Sequence, residues 1–244
     1  NAGVMESGEV SHPERGTPQG GVVSPLLSNL YLHEVLDVWF EHEVKTRLRG
    51  RAFEVRFADD AALVFEREED ARRVLAVLSK RFAKYGLRLH PEKTRLVDFR
   101  SPPRAGRGGS QRERSFALLG FTHFWGRSRK GRWVVQRKTA KDRFTRALRE
   151  IGHWCRAHRH WPVAAQQAAL RRKLQGHYAY YGITGNGRAL GRFLHEVRRL
   201  WRKWLHRRSW RGRMTWEKFV RLTARYPLPQ PRVVHSIYRR TATP

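Results

Sequence analysis

The sequence predicts an α+β protein with an early antiparallel hairpin and an all-helical region after it. Three observations support this fold class. Apolar and polar residues alternate over residues 53–57, helical periodicity covers Glu69–Tyr85, and the composition changes near residue 135. We therefore expect one domain over residues 1–135 and another over residues 136–244.

The N-terminal segment is rich in turn-forming residues and ends in the run Arg15–Gly21. Apolar residues with helical spacing follow from Val23 to Trp39, so we expect a helix there. A basic stretch then continues to Arg51.

The hairpin is predicted from two short apolar patterns. Phe53, Val55 and Phe57 alternate with polar residues, and Leu63–Phe65 is a second apolar run. Ala58–Ala61 lies between them and is the expected turn.

An amphipathic helix is predicted over Glu69–Tyr85, and Gly86 should end it. Residues 87–99 carry alternating apolar residues, whereas residues 101–115 have the composition of a flexible basic linker.

Two strands are predicted over residues 116–125 and 133–135, joined by a basic turn. Beyond them the sequence indicates helices with interleaved Arg, Trp and Tyr, near residues 140–158, 163–181, 188–207 and 215–225.

The charge is the strongest signal in the composition. The 244 residues include 51 Lys and Arg against 21 Asp and Glu, a formal net charge of +30. Nucleic acid is the commonest partner for such a charge. A membrane surface is the alternative, but the basic residues are spread along the chain and no apolar run reaches the roughly 20 residues of a membrane span.

The remaining composition points to a reducing compartment. Cys155 is the single cysteine, so neither an internal disulfide nor a multi-cysteine zinc site is expected, and we predict a small core residue. No signal-peptide pattern is present. The sequence begins at Asn1, which suggests a piece of a longer protein.

Asp59 and Asp60 are the candidate metal ligands. Neighbouring strand residues point to opposite faces, but a turn breaks this alternation and lets both carboxylates approach one site. Two carboxylates about 4 Å apart repel by roughly 4 kcal/mol at an effective dielectric of about 20. Bound Mg²⁺, with its preference for hard oxygen ligands, removes that cost. An ordinary Asp-Asp turn is the alternative.

Several motifs in order resemble those of reverse transcriptases. Arg15–Gly21, with Ser24–Leu27 and Asn29, is similar to motif B, and Phe57-Ala58-Asp59-Asp60 is similar to motif C. Gly86–Thr94 resembles motif D, and Leu119-Gly120-Phe121 resembles motif E.

The second half resembles the maturase region of group II intron proteins. The similarity lies in Trp154, Leu174–Gly182, Trp204-Leu205, Arg207–Ser209, Thr215–Glu217 and Tyr226–Pro229. The resemblance therefore covers nearly the whole chain and implies a partial reverse-transcriptase palm, then an all-helical thumb and maturase region.

This resemblance implies roles for particular residues. Asp59 and Asp60 would hold catalytic Mg²⁺ in a two-metal site, and Lys93 would face the leaving pyrophosphate, with a solvated surface lysine as the alternative. Nucleotide and template contacts would come from Phe57, Ala58, Pro18, Gln19, Gly20 and Gly21. The glycines could instead form a simple helix-start turn. Leu119, Gly120 and Phe121 would form the primer grip, although core packing would explain them equally well.

The basic and aromatic residues of the second half are the expected RNA contacts, through phosphates and stacked bases. The candidates are Arg156, Arg159, Arg171, Arg172, Lys173, Tyr178, Arg198, Lys203, Arg207, Arg208 and Arg211. His158, His177 and His195 are expected to be structural or to face RNA, because no His/Cys cluster accompanies them.

The resemblance implies an RNA-directed DNA polymerase that also assists intron splicing. Its partners would be group II intron RNA, an RNA template, a DNA primer and deoxynucleoside triphosphates, in a bacterial-type cytoplasm on RNA and nucleoid DNA. The family's motif A aspartate and fingers are not found here, nor is a zinc nuclease domain, so the two-metal site is expected to be incomplete. The alternatives are a non-catalytic splicing factor with a relic polymerase site and a generic basic nucleic-acid binder.

Overall fold

The chain folds into two compact units. The computed structural model describes residues 4–6, 9–11, 23–100, 102, 114–128, 130–209 and 213–236. The first unit contains the described residues up to Arg100 together with Arg114, and the second contains Pro102 and the described residues from Ser115 onward. The second unit begins before the predicted boundary at residue 135, because the strands that start at Ser115 form a small sheet with later residues of that unit.

The first unit mixes helices with two antiparallel strand pairs. Its elements are β1 (Val4–Glu6), β2 (Glu9–Ser11), α1 (Ser24–Leu32), two π-helical segments (His33–Val38 and Phe40–Val44), a 3-10 turn (Lys45–Arg47), β3 (Ala52–Phe57), β4 (Asp60–Phe65) and α2 (Glu68–Lys84). β1 pairs with β2, and β3 pairs with β4 from Ala52↔Phe65 to Phe57↔Asp60. The hairpin predicted around Ala58–Ala61 is thus confirmed.

A continuous core joins the π-helical segments, β3 and α2. Its buried residues are Val35, Leu36, Trp39, Phe40, Val44, Ala52, Val74, Leu78 and Phe82. The helix predicted over Glu69–Tyr85 is confirmed as α2, whose acidic first turn suits the positive end of the helix dipole. α1 buries no residue, and Leu26 remains 71% exposed.

The second unit combines a three-stranded sheet with four helices. Its elements are β5 (Ser115–Leu118), β6 (Phe121–Arg127), β7 (Trp133–Thr139), α3 (Lys141–Ala157), α4 (Val163–Tyr181), α5 (Gly187–His206) and α6 (Trp216–Arg225). The four predicted helices are confirmed to within about one residue. An all-helical second region is not confirmed, because β7 extends to Thr139.

The strand predicted over residues 116–125 is wrong. Leu119 and Gly120 adopt φ of +50° and +73°, so the chain turns there and forms two antiparallel strands, β5 and β6. β6 then pairs with β7 along its whole length.

The helices of the second unit enclose one apolar cluster. Its fully buried members include Leu170, Leu174, Leu190, Phe193, Val197, Trp201 and Phe219. Cys155 lies in the same cluster, and burial raises the pKa of its thiol to about 12. The predicted core role of Cys155 is confirmed, and the thiol is unreactive because it stays protonated.

Asn186 connects the sheet to the helices. Its side chain accepts a hydrogen bond from the Thr139 amide (3.0 Å) and donates to the Thr139 hydroxyl (2.9 Å) and the Tyr181 carbonyl (2.8 Å). The residue is buried, so no water can replace these partners.

We predict that Asn186→Ala destabilises the second unit by about 2–3 kcal/mol, because it leaves buried polar groups unpaired. Urea unfolding monitored by tryptophan fluorescence measures this change. Gln175→Ala, at an exposed position of α4, is the control and should stay within about 0.5 kcal/mol of the wild type. A similarly small effect for Asn186→Ala would contradict the prediction.

Candidate catalytic hairpin and nucleic-acid surface

The candidate aspartates lie at the tip of the β3–β4 hairpin, where Asp59 is in the turn and Asp60 is the first residue of β4. Phe57 pairs with Asp60, so Ala58 and Asp59 form a two-residue turn. Ala58 adopts φ of +52°, a conformation that costs a residue with a Cβ about 1–2 kcal/mol. Asp59 and Asp60 are both exposed, so water solvates the two carboxylates and weakens the repulsion predicted between them.

Arg56 joins this turn to two preceding segments. Its Nε and Nη2 each donate to a different carboxylate oxygen of Asp37 at 2.6 Å. Its Nη1 donates to the Ala58 carbonyl at 2.9 Å and to Asn29 Oδ1 at 3.1 Å. A planar guanidinium suits this arrangement, because its donors have fixed directions.

Glu54 lies on the same face of β3 as Arg56 and beside Asp37. Burial and the negative charge of Asp37 raise the pKa of Glu54 to about 7. Burial also opposes ionisation of Asp37, yet hydrogen bonds from Arg56 and His33 outweigh it and lower the pKa of Asp37. The two carboxyl groups therefore differ in protonation at mildly acidic pH, where Asp37 is ionised and Glu54 is protonated.

The other face of β3 is apolar and exposed. Phe53, Val55 and Phe57 point away from the core, and Phe57 is 69% exposed. Phe57, predicted to contact the nucleotide or template, is accessible for that role.

The carboxylate oxygens at the hairpin tip are the type of ligand that Mg²⁺ prefers, because the ion favours hard oxygen ligands. Asp59 and Asp60 would supply two carboxylates. Among the described residues, no group of three His, Cys, Asp or Glu side chains is placed to hold a metal ion.

The other predicted palm residues are less well connected to the turn. Lys93 is exposed in a turn that follows His90, and no hydrogen bond or ion pair described here joins it to Asp59 or Asp60. Pro18, Gln19, Gly20 and Gly21 lie outside the described residues.

The predicted primer-grip residues form the tip of the β5–β6 hairpin, which is packed against the end of α4. Tyr180 donates from its hydroxyl to the Leu119 carbonyl at 3.0 Å, and Phe121 stacks on the Tyr180 ring. A side chain at Gly120 would approach the Tyr181 hydroxyl to 3.1 Å. These contacts fix the tip within the second unit.

Three candidate RNA-binding cations gather around one tryptophan. Arg156, Lys203 and Arg207 each lie 5.5–5.9 Å from the centre of the Trp204 ring. Lys173 lies 5.7 Å from the ring of Trp154. We call Arg156, Lys203, Arg207 and Trp204 the Trp204 cluster.

Carboxylates are scarce near these cations. In the described part of the second unit, the acidic residues are Asp142, Glu150, Glu196 and Glu217. The ion pairs described there join Arg143 to Asp142 and Arg199 to Glu196, so none includes a predicted RNA-binding residue. Among the described residues of the second unit, the candidate RNA-binding cations therefore form no ion pair with a carboxylate.

Other candidate RNA contacts lie on the same unit. Arg171 and Arg172 are exposed on α4. Arg159 donates to the Arg156 carbonyl, and Arg208 donates to the His160 carbonyl. Arg198 lines an open groove with His195 and Trp216. Arg211 lies outside the described residues.

Tyr178 requires a correction. We predicted that it contacts RNA, but the side chain is only 2% exposed and its hydroxyl donates to the Pro229 carbonyl. The apolar side of α4 is turned inward at this residue, so its ring cannot stack on a base. His177 has a structural role, because it stacks on Phe193 and burial lowers its pKa to about 4.

Our sequence interpretation missed Asp37, Glu54 and Arg56. Their positions could have been noticed from the strand pattern. Glu54 and Arg56 occupy the alternate positions of β3, so they face the core while Phe53, Val55 and Phe57 face outward. The partner Asp37 could not be identified, because the pair spans 19 residues.

Comparison with known proteins finds a family similarity in the N-terminal half of the chain. Residues 4–123 match the model described as reverse transcriptase (RNA-dependent DNA polymerase). The matched segment, which contains the β3–β4 hairpin, is similar to the reverse transcriptase family.

The particular branch is indicated by a curated relative. Over 90 residues the chain is 34% identical to the group II intron-encoded protein LtrA of Lactococcus lactis subsp. cremoris, and the same values hold for strain MG1363. The alignment covers 33% of this chain and 15% of the relative. Together with the family match, it supports a group II intron reverse transcriptase/maturase.

No helix among the described residues has both the length and the apolar character needed to cross a membrane.

We predict that Glu54→Gln raises the stability of the first unit at pH 8. The folded-state pKa of Glu54 is raised, so its stabilising contribution is complete below the unfolded value near 4.5 and is lost as the pH rises through about 7. Gln keeps the shape without the charge. Thermal unfolding at pH 5 and pH 8 measures the difference.

The variant should gain stability relative to the wild type at pH 8 and lose that advantage at pH 5. Glu69→Gln makes the same chemical change at an exposed position of α2 and is the control measured at the same two pH values. Equal differences at both pH values would contradict the assignment.

Proposed function

We propose that this chain forms the metal-binding hairpin and RNA-binding region of a group II intron reverse transcriptase that also acts as a maturase. The observation that carries the proposal is the two-residue turn that exposes Asp59 and Asp60 within the segment matching the reverse transcriptase family. The same chain has an unpaired basic surface in its second unit.

In DNA synthesis, Asp59 and Asp60 would hold Mg²⁺ at the turn, with Asp59 the more direct ligand. The metal would activate the primer hydroxyl and stabilise the leaving oxygen. Phe57 would lie beside the primer end, and Lys93 would offset charge on the departing pyrophosphate. The motif A aspartate of the family would complete the site.

In splicing, the second unit would bind folded intron RNA and stabilise its active form, while the RNA supplies the splicing chemistry. The positive residues of the Trp204 cluster are suited to phosphates, and their lack of carboxylate partners supports this role. The remaining candidates on this surface are Arg159, Arg171, Arg172, Lys173, Arg198 and Arg208.

A non-catalytic RNA-binding splicing factor is the second candidate. The specific observation in its favour is that the described residues offer only two carboxylates at the turn and no three-residue metal group. In that case Asp59 and Asp60 would be relics, and the basic surface alone would carry the function.

We expect Asp59→Ala to reduce Mg²⁺-dependent primer extension on an RNA template by about 100-fold or more, since loss of one electrostatic stabilising group commonly costs that much. The assay uses the full-length protein that contains this chain. Asp98→Asn, an exposed aspartate paired with Arg100, is the control and should retain extension.

The same assay separates the two candidates. Extension that vanishes with Asp59→Ala supports the polymerase. RNA binding without extension in either protein supports the non-catalytic splicing factor, and full extension by Asp59→Ala would contradict the assignment of the turn.

We predict that replacing Arg156, Lys203 and Arg207 together by Gln lowers the affinity for structured intron RNA. It should also reduce the slope of log K against log salt by about 2–3, because each lost phosphate contact removes roughly 0.7–0.9. Binding is measured by filter retention at several salt concentrations.

The matched control replaces Arg51, Arg72 and Arg100 by Gln. It removes the same formal charge, but these arginines already pair with carboxylates. Equal losses in the two triple variants would indicate a generic basic nucleic-acid binder rather than a defined RNA surface.

A further inference from the structure

Arg56 contacts two helical segments that precede it by 19 and 27 residues, and also the turn that follows its own strand. Asn29 lies in α1, Asp37 lies in the first π-helical segment, and Ala58 lies in the turn that carries the candidate aspartates. The Arg56 guanidinium donates four hydrogen bonds, and two of them are short bonds to the Asp37 carboxylate.

The surroundings make this contact well defined. The Arg56 side chain is 13% exposed and the Asp37 side chain 24%, so water competes weakly with the pair. Breaking a largely buried pair is costly, because it leaves one charge without its partner. Asp37 also lies in a π-helical segment, a rare geometry that recurs at functional sites.

The turn itself needs support. Ala58 is held at a positive φ, which a residue with a Cβ adopts only when its surroundings impose it. The bond from Arg56 Nη1 to the Ala58 carbonyl is charge-assisted and acts directly on this residue. Asp59 and Asp60 follow immediately, so their direction depends on the conformation of Ala58.

We propose that Arg56 is a positioning residue that fixes the Ala58–Asp60 turn to the α1 and π-helical segments, and so sets the direction of the metal-binding carboxylates. The inference rests on the proposed metal site at Asp59 and Asp60 and adds a residue that supports it without touching metal or substrate. Asn29 belongs to the part of the chain that resembles motif B, so the same guanidinium would couple that helix to the turn.

Arg56→Lys tests the inference with the charge retained. Lysine presents one ammonium and no planar fork, so it can pair with Asp37 but cannot hold Asp37, Asn29 and Ala58 together. Supporting residues of a metal site typically change metal affinity by 10–100-fold. We therefore expect Mn²⁺, used as a spectroscopic substitute for Mg²⁺, to bind at least about tenfold more weakly.

The readouts are Mn²⁺ affinity by electron paramagnetic resonance and hydrogen exchange of the amides of residues 57–61. Asp59→Ala gives the background for binding elsewhere on the chain. Arg72→Lys makes the same chemical change at an exposed arginine paired with Glu68 and should alter neither readout.

A purely structural role is excluded by one more variant. Val74→Ala truncates a core side chain of α2 in the same unit and lowers stability without touching the Arg56 contacts. If Val74→Ala weakens Mn²⁺ binding as much as Arg56→Lys does, the effect follows stability and the inference is overturned.

The remaining outcomes separate this inference from the proposed function. Wild-type Mn²⁺ affinity in Arg56→Lys, with loss in Asp59→Ala, would overturn the positioning role and leave the metal site standing. If Asp59→Ala binds Mn²⁺ like the wild type, the metal site fails. The positioning of the turn is then decided by hydrogen exchange, where unchanged protection in Arg56→Lys would overturn it.

Discussion

The alternation of side chains along β3 is the constraint on which the first unit depends. It forces Glu54 and Arg56 to face the helices and leaves Phe53, Val55 and Phe57 on the outer face. The same alternation would separate Asp59 from Asp60, but the strand ends at Phe57 and the turn removes that restriction. One short hairpin can therefore bury a charged network on one side and expose adjacent carboxylates at its tip.

An ion pair that is largely removed from water has a desolvation cost, and apolar side chains of similar size often give equal or greater stability. The pair between Arg56 and Asp37 is better explained by the orientation that it imposes on its hydrogen-bond partners than by a gain in stability. Apolar contacts tolerate small shifts, whereas a guanidinium with four hydrogen bonds holds its partners at defined angles. Protonation of Glu54 lets this network keep a single ionised carboxylate beside Arg56 below about pH 7.

The sequence predicted those features that depend on short-range periodicity. The helices α2–α6 and the β3–β4 hairpin each repeat a local pattern, so their positions were recognisable without tertiary information. The turn at Leu119 was missed because leucine rarely adopts a positive φ, and contacts with α4 hold it there. The prediction for Tyr178 failed because composition does not reveal which side of a basic helix packs against the core.

The two halves of the chain use positive charge in different ways. In the first unit, arginines such as Arg51, Arg72 and Arg100 pair with nearby carboxylates, so their fields are largely cancelled. Around Trp204, three cations lie within 5.9 Å of the centre of one aromatic ring, which attracts each cation but cannot neutralise any of them. Water and salt screen their mutual repulsion only in part, and an approaching anion would reduce it further. Cations without carboxylate partners retain their positive field, so a phosphate backbone would be attracted to this surface more strongly than to the paired arginines of the first unit.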